Sequence, residues 1–365
     1  MQTNRRNRFF LTSHELTSRA QKAIGAIIFL CAIAAIILAN TTHFYLNFWD
    51  GGSGFGHFSR REFVDEFIMS IFFFAAGMEL RHEFFHGHLK GKEHRRLPVM
   101  CALGGIITPI AFMLVFASMA HFFPQTEASP IFHALPIPIA TDTVFALALL
   151  SVVSKRVPRE MRSLVLAIVV IDDVAGLGLL SLLKGELPPT MVAVIAGFLI
   201  PDAIRSFRIR KELLYYFTFV VNLIVLPLFA LANAGVKVEG ISLSQLIEAP
   251  LFWALIVSQC LGKMVGVYGA AYIATRKKWA ALPRKCNLNH IFIASCAAGI
   301  GFTLSLYLAE AALGDKEALH LIAKISILSA TLISGLLTIG FAMRIPIRIR
   351  PKSPDGQELP VGVEV

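Results

Sequence analysis

The chain has 365 residues, of which 56% are hydrophobic and 16% are charged. This composition excludes an ordinary soluble domain and fits a polytopic membrane protein. The formal net charge is +10, and in a membrane protein a basic excess belongs to cytoplasmic loops, so nucleic-acid binding is not expected. Most of the five cysteines lie in apolar segments, which argues against a disulfide framework or a metal knuckle, and no cofactor is predicted.

Long apolar stretches predict an all-α membrane protein with ten transmembrane segments. The first segment follows a polar, basic N-terminal tail and is interpreted as a membrane helix rather than a removed signal. The sixth is short and is expected to end at Pro201 as a tilted or partial helix. The predicted segments are residues 21–40, 62–81, 97–121, 135–154, 160–183, 188–201, 213–235, 250–275, 289–312 and 320–343.

The distribution of Lys and Arg between the predicted loops gives the orientation. Of the 34 Lys and Arg residues, 27 fall in the loops on one side, 5 fall in the loops on the other side, and Lys263 and Lys324 lie inside segments. Basic residues concentrate in cytoplasmic loops. The sequence therefore predicts an even number of spans with both termini in the cytoplasm.

The fourth segment is predicted to be interrupted. Pro136 and Pro138 directly precede the polar residues Thr141 and Asp142. Proline removes a backbone donor and clashes with the preceding turn, so a break in the helix is expected here.

The ninth segment carries a second interruption at Gly299 and Gly301, followed by Thr303. Interrupted helices at matching positions of two halves indicate a transporter site near the middle of the bilayer. The two halves would be residues 97–183 and 250–343, in opposite orientations, although glycines can also serve only to let helices pack closely.

Two adjacent carboxylates, Asp172 and Asp173, lie in the middle of the apolar fifth segment. A charge at this depth costs roughly 2.5–3.5 kcal/mol on insertion scales, and such residues usually mark an ion or proton pathway. Neighbouring residues on a helix point in different directions. One aspartate can therefore hold a partner while the other faces an ion, and the alternative is a structural pair satisfied by local hydrogen bonds.

Crossed, broken helices would bring together two N-terminal and two C-terminal ends, each carrying roughly half an elementary charge. Asp142 has the sign to offset the positive ends, and Lys263 can offset the negative ends or pair with Asp172. Thr141, Asp172 and Asp173 are hard oxygen donors suited to a hard cation. A partly dry site also favours the protonated carboxyl group, so protons and a small cation would compete for the same oxygens.

A series of motifs follows this pattern along the chain. They are Gly77-Met78-Glu79, Ala140-Thr141-Asp142, Ile171-Asp172-Asp173, Leu226-Pro227-Leu228-Phe229-Ala230 with Ala232-Asn233-Ala234-Gly235, Gly262-Lys263, and Gly299-Ile300-Gly301-Phe302-Thr303. In these motifs and their order the chain resembles the NhaA family of bacterial sodium/proton antiporters, from about residue 23 to residue 345.

The resemblance implies a transporter, not an enzyme, that exchanges cytoplasmic Na⁺ or Li⁺ for external protons electrogenically. It implies a place in the bacterial inner membrane and a role in sodium and pH homeostasis. Asp172 and Asp173 would carry the transported Na⁺ and the protons, with help from Thr141. Asp142 and Lys263 would compensate the ends of the broken helices.

The resemblance also implies an inverted-repeat core packed beside a panel of helices. The expected divisions are tails at 1–20 and 346–365, a membrane domain at 21–345, core halves at 97–183 and 250–343, and panel helices at 21–81 and 188–235. Compared with the family pattern, the chain lacks about two helices between Asp173 and Gly197, and its loop from Asn40 to Arg61 is short. A weak homodimer or a monomer is therefore expected, because less surface remains for a partner.

The stretch His82-Glu83-Phe84-Phe85-His86 fits the H-E-x-x-H zinc-protease pattern. No third ligand stands out, so an intramembrane metalloprotease is disfavoured. The same region could respond to pH through Glu79, Arg81 and His82, with His88 and His94.

The sequence also leaves the pH control and the transport activity open. Tyr215 and Thr218 stand where the family pattern has histidines, so strong pH control is less expected than in the family. The aspartate pair also allows an ion-coupled symporter of a small solute, although no organic-anion pocket is visible. A shortened antiporter that has lost transport is a further alternative.

Overall fold

The computed structural model describes residues 18–51, 59–85, 92–120, 129–154, 156–200, 216–237, 242–283, 285–313 and 317–346. Within these ranges every regular element is a helix, and no strand occurs. The all-α fold class is therefore confirmed. The outer parts of both tails, the glycine-rich residues 52–58, His86, His88, Pro201 and Tyr215 lie outside the described residues.

Sixteen α-helices are numbered here in chain order over the described residues. The first nine are α1 (Ser18–Thr41), α2 (His43–Trp49), α3 (Arg60–Phe63), α4 (Met69–Phe85), α5 (Lys92–Ala120), α6 (Ser129–His133), α7 (Thr143–Val152), α8 (Arg159–Lys184) and α9 (Pro189–Leu199). The others are α10 (Leu226–Asn233), α11 (Leu243–Glu248), α12 (Pro250–Val257), α13 (Lys263–Arg276), α14 (Leu288–Ala298), α15 (Phe302–Leu313) and α16 (Glu317–Met343).

Short π-helical turns were not expected from the sequence. They precede α4, α10 and α13, at Val64–Ile68, Val221–Val225 and Ser258–Gly262. A π-turn inserts one extra residue into a helix and is frequent at functional sites. The turn before α13 ends directly before Lys263.

All ten predicted segments contain helix in their described parts, and the fourth and ninth are interrupted. Among the described residues, six helices are long and apolar enough to cross a membrane: Ala20–Thr41, Arg95–Met119, Glu160–Lys184, Tyr216–Asn233, Pro250–Arg276 and Ala318–Met343. The pair α14 and α15 gives a seventh, bent span. Helix α9 has 11 residues, or about 16 Å at 1.5 Å per residue, which is about half the hydrocarbon thickness. The count of ten spans stays a prediction.

Helix α8 is the innermost of the long helices. In its most apolar 18-residue stretch, 72% of the residues are buried inside the protein, compared with 33% in the corresponding stretch of α1 and 28% in that of α5. Its C-terminal end is capped by Gly185, whose φ of 70° is left-handed, a conformation that glycine adopts without steric cost. The aspartate pair therefore sits on a helix that is surrounded by protein rather than by lipid.

Close helix contacts use glycines on facing helices. Helix α5 packs along α13, and Gly104 lies against the backbone of Gly266. Helix α4 packs along α9, and Gly77 and Gly197 each lie against the backbone of the opposite helix. Small residues let helix backbones approach closely. The van der Waals contacts that result hold helices together in lipid, where no hydrophobic effect drives their association.

Gly266→Ala is expected to destabilise the protein, whereas Gly269→Ala on the same helix is not. A Cβ atom on Gly266 would lie 2.7 Å from the carbonyl carbon of Gly104, and overpacking typically costs about 1–3 kcal/mol. A Cβ atom on Gly269 meets no described atom within 4 Å, so this variant should gain up to about 1 kcal/mol of helix propensity. Thermal unfolding in mild detergent compares the two, and equal midpoints would contradict the close approach of α5 and α13.

Candidate functional site

The first interruption lies between α6 and α7. A short 3₁₀ turn at Ile137–Ile139 is followed by an extended segment in which Ala140 has ψ 145° and Asp142 has ψ 104°. Helix α7 starts at Thr143. The break predicted from Pro136 and Pro138 is present, and it leaves the backbone groups of the extended segment available for contacts outside their own helix.

The second interruption separates α14 from α15. Helix α14 ends at Ala298, and α15 starts at Phe302 after a bend of 43°. The bend is lined by neighbours that leave no room for side chains. A Cβ atom on Gly299 would lie 2.5 Å from Ser334 Oγ, and one on Gly301 would lie 3.0 Å from the carbonyl oxygen of Ala140. Glycine is therefore required by the close crossing of the two breaks.

The two interruptions bond to each other. The N–H of Asp142 donates to the carbonyl of Ile300 at 2.6 Å, and the Thr141 hydroxyl donates to the carbonyl of Ala298 at 2.9 Å. Each bond satisfies a backbone group that a helix interruption leaves without an intrahelical partner.

Asp142 caps both helices that start at the crossing. Its Oδ1 accepts the N–H of Phe145 in α7 at 3.0 Å. Its Oδ2 accepts the N–H and the hydroxyl of Thr303 in α15, at 3.0 and 2.5 Å. The carboxylate is 3% exposed. It lies where two positive helix ends meet, which is the position that the sequence argument required for charge compensation.

Asp172 forms a fully buried ion pair with Lys263; both residues are 0% exposed. Lys263 also donates to the Thr141 hydroxyl at 3.0 Å. Thr141 Oγ1 lies 3.3 Å from Asp172 Oδ2. Because its single proton serves the closer Ala298 carbonyl, the contact with Asp172 is the weaker one. Of the two partners that the sequence left open for Lys263, the structure selects Asp172.

Asp173 lies outside this ion pair. It lines a cavity of about 70 Å³ together with Glu79, Gln21, Asn222 and others, enough room for several water molecules. The cavity follows one face of α4 from Phe72 to Glu79, which is about 10 Å along the helix. The two aspartates therefore have different surroundings, as neighbours on one helix must.

Both aspartates retain an unused oxygen. Asp172 Oδ1 and Asp173 Oδ1 are buried, and neither has a hydrogen-bond partner among the described residues. A buried acceptor without a partner is unfavourable. The site is therefore prepared for a proton, a water molecule or a cation.

The region proposed for pH sensing is only partly described. Glu79 lines the cavity, and Arg81 donates to the carbonyl of Phe198 at 2.8 Å, which connects α4 to α9. The side chains of Glu83 and His94, and the whole of His86 and His88, lie outside the description. Among the described residues no group of three or more His, Cys, Asp or Glu side chains is arranged to hold a metal ion.

Several polar residues were missed by the sequence analysis. Asp65 accepts from Asn233 Nδ2 at 2.6 Å in the interior, although the pair of acids in the second segment was a visible signal. Tyr307 and Thr190 share a buried hydrogen bond of 2.7 Å. Gln259, one turn before Lys263, is fully buried, and its position in the middle of an apolar run was its only sequence signal.

Two interrupted helices that bond across their breaks, beside buried carboxylates, define a multi-pass secondary transporter of the inverted-repeat type. The sequence model of the family described as "Na+/H+ antiporter 1" matches residues 15–186 and 177–342. The chain belongs to this family.

Named relatives agree with this assignment. The chain is 29% identical to the Na(+)/H(+) antiporter NhaA 1 of Clostridium beijerinckii, over 86% of this chain and 91% of the relative. It is 30% identical to NhaA 2 of Erythrobacter litoralis, over 88% and 91%, and 29% identical to NhaA of Photorhabdus laumondii, over 88% and 95%.

The matches also bear on the shortened middle of the chain. The two matched segments meet at residues 177–186, inside the region where two helices were expected to be absent. In the alignment with the Clostridium protein, 86% of the 365 residues is about 314, so about 64 of the 378 aligned positions fall opposite gaps in this chain. This number of positions would suffice for two helices and their connections, and the shortening of the middle stays a prediction.

Asp142→Ala is expected to destabilise the protein about twice as much as Asn287→Ala. Asp142 caps α7 and α15, whereas Asn287 caps only α14, through the N–H of His290. Loss of one N-cap costs about 0.5–2 kcal/mol, so the double cap should cost about twice that. Thermal unfolding in detergent measures both variants, and an equal loss would show that one of the two Asp142 caps contributes nothing.

Proposed function

We propose that the protein exchanges cytoplasmic Na⁺ for external protons across the bacterial inner membrane, and that Asp172 and Asp173 bind both. The observation that carries the proposal is the pair of adjacent carboxylates at the crossing, each buried and each with one oxygen unpaired. A cation that binds these oxygens replaces protons at the same atoms, so the two ions compete for one site. Thr141 adds a neutral oxygen beside Asp172.

The exchange is expected to move net charge. In the proton-loaded site Asp173 is neutral, and Asp172 is paired with protonated Lys263, so these three groups sum to zero. A sodium ion that bridges both carboxylates takes Asp172 away from Lys263, which then releases its proton, as does Asp173. The sodium-loaded site sums to −1, and two protons are exchanged for one cation.

The cavity gives a route to Asp173 from one face. Glu79, at the far end of the cavity lining, is next to a loop that the distribution of Lys and Arg assigns to the cytoplasm. On the other side of the crossing, Tyr307 bonds to Thr190 at 2.7 Å and packs on Phe73 with ring centroids 5.3 Å apart. These contacts support an inward-facing state that is closed towards the outside.

Asp142 and Lys263 are proposed to compensate the charges of the helix ends at the crossing. The Asp142 carboxylate meets two positive N-terminal ends, and the Lys263 ammonium lies beside Thr141, which in turn bonds to the C-terminal end of α14 at Ala298. Opposite charges at helix ends are stabilising, and more so in a dry site.

The division into core and panel is proposed from helix packing. Helix α5 packs on α8 and α13, and α16 packs on α12, α14 and α15, whereas α4 packs on α9 and α1 on α10, with α1 also packing on α7 across the division. The core would comprise 97–183 and 250–343, and the panel 21–81 and 188–235. The panel is the part shortened in this chain.

The size of the cavity favours an ion over an organic solute. Pockets that hold organic ligands usually measure about 300–1,000 Å³, whereas the cavity beside Asp173 measures about 70 Å³. Li⁺ would use the same oxygens as Na⁺. A pH response through Glu79, Arg81 and His82 is also proposed, since Glu79 lines the cavity beside Asp173 and the other two follow it on α4.

Asp173→Asn is expected to abolish Na⁺/H⁺ exchange, because asparagine keeps the volume but cannot exchange a proton for a cation. Asp172→Asn should impair exchange severely and leave residual activity. The assay is collapse of a pH gradient in everted vesicles on addition of Na⁺ or Li⁺.

Glu186→Gln is the control, because Glu186 is an exposed carboxylate just after the same helix, and it should keep wild-type exchange. Full activity in Asp173→Asn would refute the site, and a wild type without any Na⁺ or Li⁺ response would favour the symporter or the inactive transporter.

The protein is expected to be a monomer or a weaker dimer than relatives that retain the missing panel helices. Stable association needs a large, well-packed buried patch, and the shortened panel offers less of it. Size-exclusion chromatography with light scattering in mild detergent, at falling protein concentration beside a longer relative, measures the difference. A dimer as persistent as that of the relative would show that the missing helices do not provide the adhesive surface.

A further inference from the structure

Gln259 is buried at the crossing with no use in the exchange described above. It lies in the π-helical turn Ser258–Gly262, is 0% exposed, and neither Oε1 nor Nε2 has a hydrogen-bond partner among the described residues. A buried carboxamide with both ends unpaired is unfavourable, and in a folded protein it calls for an explanation such as a bound water or ion.

The carboxamide faces a small polar niche beside Gly301. A Cβ atom on Gly301 would collide with the Gln259 amide and with Ser305 Oγ, and it would lie 3.0 Å from the carbonyl oxygen of Ala140. These three polar groups therefore converge on the side of Gly301 that carries no side chain. They come from the Lys263-bearing span and from both interrupted helices.

The niche can present oxygens alone. The Ser305 hydroxyl proton is used by the carbonyl of Ile137 at 2.9 Å, so the lone pairs of Ser305 Oγ remain. The two ends of a carboxamide have nearly the same shape, so Gln259 can turn its Oε1 towards the niche. Carbonyl and hydroxyl oxygens suit a hard monovalent cation better than thiols or imidazoles do.

The local charge favours a cation in this niche. Ala140 follows the C-terminal end of the 3₁₀ turn Ile137–Ile139, and the backbone oxygen of Gln259 would lie 3.0 Å from a Cβ on Gly299, at the C-terminal end of α14. Carboxyl ends of helices carry partial negative charge. Lys263, the nearby buried cation, is bound to Asp172 and Thr141 instead.

We propose that Gln259, the Ala140 carbonyl and the Ser305 hydroxyl form a neutral oxygen subsite that binds the transported monovalent cation beside the aspartates. The subsite rests on the proposed Na⁺/H⁺ exchange and extends it. It would supply neutral oxygens to the dehydrated cation next to the carboxylates, and it would contribute to the choice between Na⁺ and Li⁺ through its size.

The test replaces Gln259 with Met, which keeps the volume and removes both polar ends. Loss of one cation ligand is expected to raise the KM for Na⁺ about tenfold, with kcat unchanged and an altered ratio of the KM values for Na⁺ and Li⁺. Without Na⁺, the thermal stability of the variant should not fall, because the substitution removes an unpaired buried amide. Added Na⁺ should stabilise the variant less than it stabilises the wild type. The control is Thr338→Val, a buried hydroxyl that bonds within its own helix and should change neither KM.

Three results decide the proposal. An unchanged KM in Gln259→Met, with an active wild type, overturns the subsite and leaves the aspartate site standing. A fall in kcat at unchanged KM means that the niche holds structural water, which also overturns the cation assignment. A wild type without any Na⁺ response overturns the exchange and the subsite together.

A second variant keeps the test valid if Gln259→Met does not fold. Gln259→Glu retains an oxygen donor at the same length and adds a charge. It should lower the KM for Na⁺ at alkaline pH and make the KM depend more steeply on pH than in the wild type. The same KM as the wild type at every pH would overturn the subsite.

Discussion

The bonds between the two helix breaks hold the structure of the site together. Inside a bilayer no water satisfies free backbone groups, so an interrupted helix is stable only where protein supplies the partners. Here each break supplies them for the other, through the Asp142 N–H and the Ile300 carbonyl, and the Asp142 carboxylate caps the two helices that start at the crossing. Neither break would be stable alone, so the two interrupted helices depend on each other.

The buried ion pair adds a second constraint. Removing one member of such a pair typically costs about 3–5 kcal/mol because a lone charge remains in a dry site. Asp172 and Lys263 are therefore held in place by each other as long as no competitor arrives. In the proposed exchange, a cation that binds Asp172 replaces Lys263 as its partner, and Lys263 then releases its proton.

Asp173 has no such partner and faces a cavity. The two neighbouring aspartates on α8 therefore differ: Asp172 is held in an ion pair, and Asp173 faces a cavity. This difference follows from the roughly 100° rotation between successive residues of a helix, which places one side chain against α13 and the other against α4. A pair spaced by four residues would have faced one environment only.

The sequence predicted the features that a local signal encodes. Pro136 and Pro138 marked the first break, and Gly299 and Gly301 marked the second. Asp142, predicted beside the first break from the sign of its charge, accepts hydrogen bonds at the starts of two helices. Lys263 had two possible partners, and only tertiary packing selects Asp172. Gln259 was missed because a single amide in an apolar run gives no periodic pattern. Its neighbours at the crossing, Ala140 and Ser305, are distant in sequence. The π-turns likewise reflect packing and have no composition signal.

The short connection from α8 to α9 has a mechanical consequence. Helix α8 belongs to the proposed core and α9 to the proposed panel, and only Gly185, Glu186, Leu187 and Pro188 separate them. Five Cα-to-Cα steps reach at most about 18 Å at 3.3–3.6 Å each, and two consecutive prolines stiffen the start of α9. A movement of the proposed core against the proposed panel would be limited by this short link, in which Gly185 is the residue that most easily changes its backbone angles.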